Sequence, residues 1–105
     1  MIDEELLELA AKAAGSDFSS KLIPEAQGKR KGPFILKGSR WVQWNPLTDD
    51  GDALRLAVKL KMTLGVGVAR GDAGEATEFD LFYSDPCSAT RRAIVRAAAK
   101  IGRNM

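Results

Sequence analysis

Apolar residues recur at helical spacing in three stretches of the chain and alternate in two more. Over 2–14, Ile2, Leu6, Leu9, Ala10 and Ala13 fall on one stripe, which predicts an amphipathic helix. Asp3, Glu4 and Glu5 occupy its first turn, where the helix dipole favours negative charge, and Gly15 supplies a C-terminal stop. Residues 16–33 show no period, and Pro24, Gly28, Gly32 and Pro33 mark them as irregular. FILK at 34–37 and RWVQW at 40–44 read as short extended pieces joined by a turn at Gly38-Ser39. Residues 50–62 read as a second helix that buries Ala53, Leu56, Ala57 and Leu60 and wets Asp52, Arg55 and Lys59.

Period two takes over at TLGVGVA, 63–69, where Leu64, Val66 and Val68 share one strand face and Gly65 and Gly67 the other. GDAG at 71–74 is a turn, and EATEFDLFY at 75–83 alternates again, with Thr77, Phe79, Leu81 and Tyr83 on one face. Phe82 on the opposite face is expected to cover a cross-strand glycine. Asp85 is then a good N-cap and Pro86 fits the first helical position of a last helix. That helix turns Ile94, Ala97, Ala98 and Ile101 inward and Arg92, Arg96, Lys100 and Arg103 outward, and Gly102 is expected to fray its end. A hairpin with one apolar face has to be covered by helices. The expected fold is therefore α+β: a three-layer α/β/α-like sandwich in which a small antiparallel sheet is covered by three helices. At 105 residues it forms a single domain, 1–105.

The segments WNPLTDDGDALRLAVKL at 44–60 and DPCSATRRAIVRAAA at 85–99 together resemble the phage ABA-sandwich domain family, small phage and prophage proteins similar to NinX-type proteins. The shared features are an N-terminal helix, a Trp-x-Pro segment leading into a helix, a hairpin, and a closing helix with an A-x-x-R-A pattern. The resemblance runs from the first helix to residue 99 and is weakest over 16–40. It implies a phage or prophage origin and the layered arrangement, and it carries no activity and no functional residues.

Composition narrows the chemistry. Hydrophobic residues make up 45% and charged residues 29%, close to the globular average. With no histidine, Ser-His-Asp and Cys-His catalysis are excluded, together with the commonest metal ligand. One cysteine, Cys87, forms neither an intrachain disulfide nor a zinc cluster, and suits a reducing cytoplasm. The acidic, amphipathic start differs from a signal peptide, and no stretch has the roughly 20 apolar residues of a membrane span. A cytoplasmic protein with no catalytic residues, cofactor, metal or membrane partner is expected.

The net charge of +2 hides blocks: −4 over 1–20, +5 over 21–44, −5 over 71–88 and +5 over 89–105. Two basic features follow as candidate binding surfaces. GKRKGP sets Lys29, Arg30 and Lys31 between glycines and offers phosphate three adjacent cations, although it lacks the P-loop spacing and short charge runs are more often solvated loops. Arg92, Arg96, Lys100 and Arg103 can lie along a nucleic acid, or can form the ordinary polar face of a helix that pairs with acids of 71–88 or of the first helix.

Three further features have ordinary explanations. Trp41, Trp44 and Phe34 resemble a base-stacking platform but are more often core anchors. Asp49, Asp50 and Asp52 miss the calcium-loop spacing and read as helix caps. Cys87 without a histidine partner reads as buried and inert.

The leading functional expectation is a non-catalytic protein–protein interaction module acting on a host or phage protein or on its own copies, because complementary charged surfaces steer association. The alternative is a small nucleic-acid binder that uses Lys29–Lys31 and the basic helix. An enzyme running on carboxylates alone, such as Glu78 or Asp80, comes last.

Overall fold

The computed structural model of the chain describes residues 2–25, 28–79 and 84–105, with 22–25 and 28–31 described by backbone alone. Helix α1 (Asp3–Ala13) is followed by strands β1 (Phe18–Ser19), β2 (Leu22–Glu25), β3 (Gly28–Lys31), β4 (Phe34–Lys37) and β5 (Arg40–Gln43). Helix α2 (Asp50–Lys59), strands β6 (Thr63–Gly65), β7 (Val68–Gly71) and β8 (Gly74–Thr77), and helix α3 (Pro86–Arg103) complete the order. All strand pairs are antiparallel: β1-β4-β5, β2-β3 and β6-β7-β8. The fold is α+β, as the hydrophobic pattern implies.

Each helix ends for a local reason. In α1, Gly15 takes φ +78° and the Gly15 and Ser16 N–H groups bond back to the Lys12 and Ala11 carbonyls, closing a Schellman motif. Helix α2 ends the same way, with Lys61 and Met62 N–H groups bonded to Val58 and Ala57, but the left-handed position is held by Lys61 at φ +54°. Helix α3 begins as its sequence predicts: the Asp85 carboxylate accepts from the Ser88 N–H at 3.1 Å and Pro86 opens the first turn.

Helix α3 is the centre of the molecule, packed against α1, α2 and the β6-β7-β8 sheet. Such crowding requires small side chains. Eleven of the eighteen buried apolar residues described are alanines, five of them on α3 (Ala89, Ala93, Ala97, Ala98 and Ala99). Leu6, Leu7 and Leu56 supply bulk, and Trp44 is a core anchor, its ring edge-on to Phe18 at 6.5 Å. Trp41 is half-buried and Phe34 is fully buried.

Several expectations are corrected. Residues 16–33 are not irregular: they contribute β1, β2 and β3, strands too short to show a period. The inward stripe of α1 is Leu6, Leu7, Ala10 and Ala11, while Ile2 is exposed. TLGVGVA is not one strand. Gly67 takes φ +71°, so Val66-Gly67 turns the chain and β6 and β7 pair with each other. Val66 therefore leaves the face expected to hold Leu64 and Val68. In β8 the buried residue is Ala76, opposite Ala69, small enough for α3 to pack close to the sheet, while Phe79, beyond the end of the strand, is exposed. The expected strand positions 80–83, including the Phe82 cover, lie outside the described residues. Asp52 is buried, not wet: it accepts from the Asn45 N–H at 2.9 Å and from Arg55 at 2.7 Å, tying α2 to the turn before it, whereas Asp49 at the N-cap makes no side-chain cap bond. Gly102 does not fray α3 but is buried within its last turn. Cys87 is exposed.

Candidate functional site

The cations of α3 converge, but largely on partners within the chain. Arg91 donates to the Leu47 carbonyl at 2.9 Å and pairs with Asp50 at 2.6 Å, joining α3 to α2. Arg92 pairs with Asp3 of α1 at 3.0 Å and lies 3.8 Å from Glu78. Arg96 pairs with Glu78 at 2.6 Å and donates to the Thr77 carbonyl at 3.1 Å. Lys100 donates to the Glu75 carbonyl. Arg92, Arg96, Lys100 and Arg103 line one cavity of about 410 Å³ together with Glu78 and Leu6. Within the positive block of 89–105, Arg92 and Arg96 thus meet acids of the first helix and of 71–88, Arg91 meets Asp50 of α2, and Lys100 meets a backbone carbonyl of β8, so these charges clasp α1, α2 and the sheet to α3.

The β8 edge benefits from the same clasp. The Glu78 N–H bonds to the Gly67 carbonyl, which fixes the phase of the ladder: Ala76 faces β7, and Glu75 and Thr77 turn their backbone groups outward. Lys100 and Arg96 occupy those two outward carbonyls. Arg70 pairs with Glu75 at 2.9 Å and holds its carboxyl below the ordinary range, with Thr77 and Lys100 adding to the effect.

Lys29, Arg30 and Lys31 lie on β3, opposite Pro24, Ile23 and Leu22 of β2. They occupy a two-stranded ribbon, separate from the α3 cavity, and their side chains lie outside the description.

A different surface has the character of a docking site. Between α2, the β6-β7 turn and the start of α3 lies a groove of about 300 Å³ lined by Ala53, Leu54, Leu64, Val66, Cys87 and Ile94. Leu54 is 57% exposed, Leu64 40% and Val66 54%, and Val58, one turn along α2 from Leu54, is 67% exposed. Such grouped exposure of large aliphatic residues costs hydration free energy and marks interaction surfaces more often than single exposed residues do. Its walls are fixed. The Thr90 hydroxyl accepts from the Gly67 N–H at 2.9 Å and donates to the Pro86 carbonyl at 2.8 Å, pinning the turn that carries Val66 to α3. At the rim, Arg91 and Asp50 neutralise each other.

None of the groove's exposed aliphatics is among the candidate residues drawn from charge. The signal was present in Val66, an aliphatic residue between two glycines, but a continuous strand through 63–69 absorbed it. No cluster of three or more acidic, histidine or cysteine side chains suited to a metal occurs among the described residues, and no described helix is long and apolar enough to cross a membrane. The chain matches no protein-family profile, no curated protein and no solved structure.

Proposed function

We propose that the chain is a non-catalytic protein-interaction module that docks an apolar segment of a protein partner in the groove between α2 and α3. The observation that carries this is the grouping of exposed Leu54, Leu64 and Val66 around a preformed cavity floored by Ile94. Burial of a few aliphatic side chains at about 25 cal/mol per Å² supplies the association free energy. The resemblance to small phage proteins fits an accessory that acts on a host factor, and the exposed thiol of Cys87 suits the reducing cytoplasm.

The test is capture on immobilised chain from a bacterial lysate that also holds untagged chain. At least one bound protein is expected to be lost with Leu54→Lys combined with Val66→Lys. An empty eluate, or a bound set indifferent to both substitutions, overturns the proposal.

A second reading, nucleic-acid binding, is favoured by one observation: Lys29, Arg30 and Lys31 are consecutive in a two-stranded ribbon, an element the DNA major groove admits. It predicts a mobility shift at low salt that weakens steeply with added salt and disappears on reversing those three charges. The α3 stripe gives it little support, since Arg92 and Arg96 already hold Asp3 and Glu78.

A further inference from the structure

The two edges of the β6-β7-β8 sheet are treated differently. On β8 the outward carbonyls of Glu75 and Thr77 are occupied by Lys100 and Arg96. On β6 the ladder phase set by the Glu78–Gly67 bond turns Val68 and Arg70 of β7 toward their partners Gly65 and Thr63. Leu64, between them and opposite Ala69, then directs its own N–H and C=O away from the sheet. An open edge site of this kind invites another strand. Leu64 also lines the apolar groove, so the open backbone pair and the exposed aliphatic surface belong to one face.

Resting on the docking role assigned to that groove, we propose that its occupant is a second copy of this chain. The two β6 strands pair antiparallel about a two-fold axis at Leu64. Three observations fit a copy at this edge. The outward-facing pair within β6 belongs to one residue, Leu64. A two-fold axis through Leu64 satisfies both groups reciprocally, one N–H···O=C bond from each copy, and needs no longer edge than β6 provides. The exposed ridge of Leu54 and Val58 lies on the same helix as the groove wall, so each copy brings the knob that the other's groove receives, as an isologous interface requires. The rim charges, Arg91 and Asp50, cancel at 2.6 Å within each chain, so two like surfaces meet without net repulsion. A standard interface takes about 800 Å² from each partner. That is an eighth of this chain's 6521 Å² surface.

The experiment is analytical ultracentrifugation over a concentration series reaching roughly 100 µM, well above a micromolar dissociation constant. The wild-type mass is expected to rise to twice 11.4 kDa, and Leu54→Lys and Val66→Lys, each at an exposed position, are expected to return it to 11.4 kDa with unchanged circular dichroism. Amide exchange supplies a second measurement: the Leu64 N–H is expected to become protected as concentration rises. A monomer at every concentration, a dimer that survives both substitutions, or a dimer whose Leu64 amide exchanges freely each overturns this inference. A monomer that still captures other proteins in a Leu54- and Val66-dependent way leaves the docking role intact and removes only the second copy as occupant.

Discussion

The backbone of Gly102 in α3 lies against the backbone of Leu9 in α1. A β-carbon on Gly102 would stand 2.8 Å from the Leu9 carbonyl carbon and closer still to its oxygen. The main contact between helices in this molecule is therefore set by the absence of a side chain. Gly102→Ala is expected to push α1 from α3 and lower stability by about 1–3 kcal/mol, despite alanine's better helix propensity. Urea denaturation followed by circular dichroism measures this, and an unchanged or higher midpoint would show that the helices cross farther apart.

Lys61 presents the opposite case. It holds a left-handed conformation, φ +54°, to close the C-terminal motif of α2. Side-chain sterics oppose that conformation and glycine has none. Lys61→Gly is expected to raise stability by about 0.5–1 kcal/mol, the relief of strain exceeding the added unfolded-state entropy. Thermal melting reads the change directly.

Thr90 pins the groove. Replacement by valine keeps the shape but removes the acceptor of the Gly67 N–H and the donor to Pro86. An unsatisfied, partly buried donor costs about 1 kcal/mol, and the Val66 turn is freed from α3. Thr90→Val is expected to lower the melting temperature modestly and to speed amide exchange at Val66 and Gly67. An unchanged exchange rate at those two positions would mean that β6 and β7 hold the turn without Thr90.

The α3 cap makes acid stability depend on Asp85. Hydrogen bonds from the Ser88 backbone and hydroxyl, and the nearby charge of Arg91, hold its carboxyl below the ordinary value of 3.8. A carboxyl lowered in the folded state contributes stability that is fully present above its unfolded pKa and is lost as pH falls through the folded one. Asp85→Asn keeps a capping oxygen without the charge. The wild-type advantage over this variant is expected to be full above the ordinary carboxyl range and to be lost as pH falls through the lowered folded-state pKa. Melting temperatures of the two proteins across that range check the sign, and an advantage that grows toward low pH would contradict it.

By itself the sequence determined the elements that rest on local signals. Helix α3 is legible from Asp85-Pro86 and its apolar period, the stop of α1 from Gly15, the β4-β5 hairpin from Gly38, and the α+β class from the switch between periods of 3.6 and 2. The pairing of basic α3 residues with acids of the first helix and of 71–88 was legible as well, because opposite charge blocks of equal size have an inexpensive way to meet.

Only the tertiary structure decided which faces are buried. Asp52 went inside because the Asn45 N–H needed an acceptor there, and the buried position of β8 is taken by the small Ala76, against which α3 packs. Gly102 is a packing residue, not a helix stop, for the same reason of proximity. The groove belongs to this class too. Leu54, the Leu64–Val66 pair and Ile94 come from three separate segments, and no local period can report that a turn at Gly67 and a bond from Thr90 bring them around one cavity.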